Sequence, residues 1–135
     1  MIRIERTLIQ EADRVTHTAD LFGVHFPLHL EPLVYATADH LSSDYEGGYW
    51  EFYKLSNDGF YMAPSTEDRF HVIAENGFEG DLSADAFGIT VSLYAFSCLS
   101  FSTMLIADAC AQQYRRLREY ALEHTEAGAI LAAID

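Results

Sequence analysis

Basic residues are scarce in this sequence. Eight Lys and Arg stand against 21 Asp and Glu over 135 residues, a formal net charge of −13 with His neutral. A protein that binds nucleic acid by neutralising phosphates needs cations to release counterions, so direct nucleic-acid binding is not expected. A surface of this sign is also repelled by anionic membrane leaflets, and partners it attracts carry positive charge. Cysteine is nearly absent: Cys98 and Cys110 lie in apolar helical stretches without C-x-x-C spacing. They read as small core hydrophobes in a reducing, cytoplasmic compartment, and neither a disulfide nor a zinc site is expected. The longest apolar stretch, Ala84 to Leu105, is broken by Asp85, Gly88, Thr90 and several serines, which suits a buried helix and not a membrane span. The first residues, Met1-Ile2-Arg3-Ile4-Glu5-Arg6, lack an apolar core and a small-residue cleavage site, so no signal peptide is expected.

What is present is apolar material, 50% of the residues, enough for one folded domain spanning 1–135 with no staple. The acidity is concentrated. Between Asp39 and Asp85 there are 11 acidic residues and only Lys54 and Arg69 as basic ones, which puts −9 of the −13 in the middle third. That segment is either a solubilising face or a binding one.

The pattern of elements predicts an α+β fold, a small antiparallel meander of three or four strands packed with about four to five helices. An extended arm or weak strand leads to a short helix near 19–24. Glu31-Pro32 opens a helix that stops by Ser42-Ser43. Gly48 to Leu55 alternates as a half-buried strand, Asn57-Asp58-Gly59 is a hairpin turn, and Phe60 to Ala63 is the returning strand. Phe70 to Ala74 and Phe78 to Leu82 flank a second hairpin signal, Asn76-Gly77. Ser83 caps a central helix over 84–99, followed by helices over about 103–123 and 126–134.

Catalytic signatures are missing. No nucleophile elbow, P-loop or dinucleotide fingerprint occurs. His25 and His29 have ligand spacing, but Pro27 between them disfavours a continuous helix, so no metal is expected. His71 reads as a sheet-surface residue and His124 as a helix-end charge. Nothing in these residues requires a reaction. The distinctive stretch is 44–64, which carries the only Trp and four of the eight Tyr among several carboxylates. Alternation sets Tyr49, Glu51 and Tyr53 on one face with Trp50 and Phe52 on the other. These are either sheet-packing aromatics alone or, since Tyr beside carboxylates gives large contact area at small entropic cost, a surface suited to protein recognition.

Four blocks resemble the ArdB/KlcA antirestriction proteins of bacterial plasmids and other mobile elements. They are Y-x-G-G-Y-W-E-x-Y at 45–53, L-S-N-x-G-F-Y-M-A-P at 55–64, L-S-A-D-A-x-G at 82–88 and H-x-E-A-G-A-I-x-x-A-I-D at 124–135. The resemblance implies a bacterial, non-enzymatic inhibitor that relieves host type I restriction-modification of incoming DNA. It implies an α+β fold without cofactor. A DNA mimic needs carboxylates along an extended surface, about one charge per 1.7 Å of duplex axis, and one acidic third of a small domain offers few. The favoured reading is therefore contact with the type I restriction-modification complex or a host factor controlling it, by a monomer or weak dimer. The candidate partner-binding residues are Asp44, Glu46, Tyr49, Glu51, Tyr53, Asp58 and Asp135. A DNA-mimic inhibitor, or a small-molecule-binding protein, remains the alternative.

Overall fold

The structure is a computed structural model that describes residues 3–135. Its elements run β1 (Arg6–Leu8), a 3-10 turn (Glu11–Asp13), α1 (Arg14–Phe22), a π-helical turn (Phe26–Leu30), α2 (Glu31–Leu41), β2 (Trp50–Leu55), β3 (Phe60–Pro64), β4 (Arg69–Ile73), β5 (Glu79–Ser83), α3 (Ala84–Ser100), α4 (Ala107–Ala121) and α5 (Ala127–Ile134). The α+β class is as predicted.

The centre is α3. Twelve of its 17 residues are buried, which follows from apolar side chains all round its circumference. Its start is fixed chemically, since the Ser83 hydroxyl accepts the Ala86 N–H at 3.2 Å and Asp85 lies in the first turn, where the helix dipole favours negative charge. Phe22, Phe26, Phe52 and Phe60 interlock with one another, and Phe22 with Phe96 of α3, at ring centroid distances of 5.7–6.0 Å. Phe70 of β4 stacks on Phe87 of α3 at 4.4 Å.

The strands do not form one meander. They make two antiparallel sheets, β1-β2-β3 and β4-β5. Both hairpins form at the expected turns, with Asp58 at φ +68° and Gly77 at φ +94°, the left-handed geometry that such loops require. The separation has a local cause. Met62 donates its N–H to the Ser92 hydroxyl at 3.2 Å, and that hydroxyl donates to the Met62 carbonyl at 3.3 Å. Helix α3 thus occupies the edge of β3 where β4 would have paired. A Cβ on Gly88 would lie 2.4 Å from the Ala63 Cα, so the absent side chain is what admits this approach. The vacant place beside β2 is filled from the N-terminal arm, with Arg6 opposite Leu55 and Leu8 opposite Tyr53.

Three expectations are corrected. The first helix begins at Arg14, earlier than 19–24, and ends where Gly23 adopts φ +61°. Pro27 does not break the segment between His25 and His29. It sits in the first turn of the π-helical stretch, where a missing N–H is harmless, and the two imidazoles stack at 5.4 Å. Cys98 is exposed, whereas Cys110 is buried.

Candidate functional site

The outer face of β2 carries the predicted alternation. Trp50 and Phe52 are buried, while Glu51 and Tyr53 are half-buried and Tyr49, just before the strand, is 49% exposed. Two arginines that no sequence pattern singles out lie over this row. Arg6 covers the Tyr53 ring at 4.4 Å. Arg14 lies over Tyr49 at 4.9 Å and Phe52 at 4.2 Å, donates to the Trp50 carbonyl at 2.9 Å, and comes within 3.8 Å of the Glu51 carboxylate. Tyr49 donates its hydroxyl to Glu11, and Glu51 accepts from the Ser65 hydroxyl at 3.2 Å. Arg6 and Arg14 are held against these rings by cation–π attraction. The only signal for Arg6 and Arg14 in the sequence is that they are two of the three arginines before Lys54.

The remaining candidates scatter. Glu46 is exposed and makes no hydrogen bond among the described residues. Asp44 is used inside the molecule, accepting the His71 backbone N–H at 2.8 Å and so tying the loop before β2 to β4. Asp58 turns the hairpin, and its carbonyl accepts from Gln113 of α4 at 3.0 Å. Asp135 ends α5. Tyr49, Glu51 and Tyr53 are thus brought together, with Glu46 nearby in the chain, and Asp58 and Asp135 stand on other elements.

His71 is more than a sheet-surface residue. Its ring lies 2.7 Å from Asp81 and 2.8 Å from Glu79 on β5, and these hydrogen bonds, that to Asp81 foremost, raise its pKa above the ordinary value.

The residue whose role sequence reasoning missed is Asp85, read there as a charge in the apolar stretch. Its carboxylate accepts from the Arg6 guanidinium at 2.6 Å, the Tyr61 hydroxyl at 2.7 Å and His124 Nε2 at 2.8 Å. His124 is 11% exposed in its side chain, and its Nδ1 accepts the Glu126 N–H at 2.9 Å. That acceptance places the ring proton on Nε2, facing Asp85. Tyr61 is wholly buried and stacks between Tyr53 at 5.0 Å and Tyr120 at 5.8 Å. Burial works to raise the Asp85 pKa, but the hydrogen bonds from His124 and Tyr61 and the charge of Arg6 outweigh it and hold the carboxyl below its ordinary value. Burial, with the neighbouring Asp85 charge, pushes the Tyr61 phenol up.

An acid, an imidazole and a phenol are in contact here. Both imidazole nitrogens are occupied, and the tyrosine hydroxyl donates to the same carboxylate. The set is a knot that joins β1, β3, α3 and the turn before α5. Clefts of about 390 Å³ and 530 Å³ lie on its two sides, the second reaching Glu51 and Tyr53. Among the described residues no group of three or more His, Cys, Asp or Glu could hold a metal ion, and no helix is long and apolar enough to cross a membrane.

Comparison with known proteins bears on the family and the fold. A family model described as antirestriction protein matches residues 43–135. The antirestriction protein KlcA of Escherichia coli is 42% identical, covering 98% of this chain and 94% of its own. A putative antirestriction protein of Escherichia coli K12, YubI, is 36% identical over 94% of this chain and 93% of its own. A solved structure from work on KlcA and ArdB superposes with a TM-score of 0.89 at 39% identity, covering all of this chain and 99% of that one. Those proteins are described as having a novel fold, and antirestriction activity against type I DNA restriction systems in vivo but not in vitro.

Proposed function

Because the chain belongs to the antirestriction protein family, we propose that it relieves type I restriction of incoming DNA by contact with protein and without catalysing a reaction. The observation that carries the contact reading is the behaviour of the solved relatives, active in vivo but not in vitro. An inhibitor that fills the DNA channel of a restriction enzyme works on purified components as it does in cells. Activity confined to the cell favours a partner that the cell supplies, either the restriction complex in its cellular state or a host factor that controls it.

The internal use of acidic groups supports the same choice. Asp44, Glu51, Asp85 and Glu126 are engaged by groups of this chain, which leaves fewer carboxylates to trace a phosphate backbone. The contact surface proposed is the row Tyr49, Glu51 and Tyr53 with the adjacent Glu46. Asp44 is held within the fold by the His71 N–H and the Asp58 carbonyl by Gln113, and with Asp135 they lie outside the proposed row. Recovery of tagged protein from cells carrying a type I system, with and without unmodified target DNA, tests the reading. Enrichment of a restriction subunit, or of one host protein, over a Glu46→Lys/Glu51→Lys control is expected. Equal recovery from both proteins would reject a contact made through this surface.

A further inference from the structure

We propose that the groove between α1, the turn that follows it and β2 receives an apolar side chain of a partner protein, carried on a segment with basic flanks. The groove encloses about 580 Å³, room for a Leu or Phe side chain and part of its neighbours. Its floor is made of Phe26 and Phe52, which are buried and meet edge to face at 5.7 Å. Val15, Ala19, Val24 and Pro27 form its walls.

Val15 is 79% exposed and Val24 61%, and Leu28, also 61% exposed, lies in the same π-helical stretch as Pro27. Exposed aliphatic residues are ordinary when single. Val15 and Val24 border one concavity, and such a pair marks a surface that gains by being covered. π-Helical turns also recur at functional sites, and Gly23, in its left-handed conformation, directs the chain around the groove's end.

Charge selects the occupant. Glu11 and Glu31 line the groove, and they accept hydroxyls from Tyr49 and Tyr35 respectively, neutral donors that leave each carboxylate its charge. Arg14 is the one cation of the lining among the described residues, and it is committed to Glu51, the Trp50 carbonyl and two aromatic faces. The uncommitted charge is therefore negative, which attracts Lys or Arg flanks and repels acidic ones. Through Arg14 the groove adjoins Tyr49 and Glu51, so it extends the surface proposed above. Its biological role rests on the reading that the protein acts by contact with protein.

The test uses the full chain, 15N-labelled, and two ten-residue peptides. One holds Leu-Phe between pairs of Lys, and its twin has Glu in place of every Lys. The Lys peptide is expected to shift the amide resonances of Val15, Ala19, Val24 and Phe52, and its Glu twin to leave them in place. Val24→Asp should weaken that binding at least tenfold, and Glu11→Gln/Glu31→Gln several-fold with a shallower salt dependence. No shift at millimolar peptide, equal shifts from both peptides, shifts confined to other residues, or occupation of the groove by a second copy of the chain would each overturn the proposal. In cells, Val24→Asp, with Val15→Asp as the alternative variant, should lose restriction relief while keeping its circular dichroism. Relief kept by both groove variants but lost in Glu46→Lys/Glu51→Lys overturns the groove and leaves the contact reading in place. Relief kept by all of them overturns the contact reading, and the peptide titration still decides the groove.

Discussion

The Ser92 hydroxyl answers both backbone groups of Met62, accepting the N–H and donating to the carbonyl. A helix side chain thus takes the part of a neighbouring strand. Ser92→Ala leaves both Met62 groups buried without a partner, at a cost of about 1–3 kcal/mol. The thermal midpoint should fall by roughly 5–10 °C for a chain of this length, measured by calorimetry. An unchanged midpoint would mean that β3 keeps its edge by other means.

Gly88 stands one turn earlier on the same face of α3. An added methyl would overlap the Ala63 backbone at 2.4 Å, and backbone cannot rotate away as a flexible side chain can. Gly88→Ala should destabilise by about 3 kcal/mol or more, seen as a lower urea midpoint. Gly128, where an added Cβ would meet nothing within 4 Å, is the control expected to tolerate Ala.

Asp85 sets an acid limit on stability. Its folded pKa lies below the unfolded value, so its contribution is complete above the unfolded pKa and disappears as pH falls through the folded one. Asp85→Asn should cost about 2 kcal/mol near neutral pH, the scale of a charge-assisted hydrogen bond. It should also flatten the loss of stability on the acid side. Denaturation midpoints between pH 2 and 7 test both, and parallel curves for the two proteins would refute the assignment.

His71 behaves in the opposite sense. Its folded pKa is raised by Asp81 and Glu79, so the cross-strand tie is present below the unfolded imidazole pKa and is lost as pH rises through the folded one. Proton-detected titration should place its midpoint above that of an ordinary histidine. Asp81→Asn should bring it down, with a smaller decrease in Glu79→Gln.

Glu46→Lys/Glu51→Lys should abolish restriction relief in a phage-plating assay. Glu51→Gln separates charge from fold, because it keeps the acceptor for Ser65 and puts no second cation beside Arg14. Retained relief in the doubly reversed protein would reject this face as the contact surface.

Much of this fold was legible in local signals. Asn57-Asp58-Gly59 and Asn76-Gly77 announce their hairpins because few residues tolerate positive φ. The alternation from Trp50 to Leu55 announces which side of β2 is buried. What was not legible depends on partners distant in sequence. Ser92 reads as an ordinary helix serine until Met62, thirty residues earlier, is placed against it. Arg6 and Arg14 show no period, and their roles exist only once β2 lies beneath them. The site was legible in part for the same reason. Tyr49, Glu51 and Tyr53 share a face through strand geometry alone, whereas Asp44 and Asp58 were grouped by nearness to the hairpin and Asp135 by its place in the last resembling block, and the fold uses Asp44 to tie β4, turns the hairpin at Asp58 and leaves Asp135 at the end of α5.

The Asp85 carboxylate joins Arg6 to His124, so its shell of donors is gathered from residues far apart in the sequence. The β2–β3 hairpin closes between neighbours in the chain, but Tyr61, the largest fully buried side chain among the described residues, is shut away from water only when Tyr120 of α4 stacks on it. A hairpin formed ahead of that docking holds its tyrosine wet, so the local and the long-range steps of folding meet at this one ring.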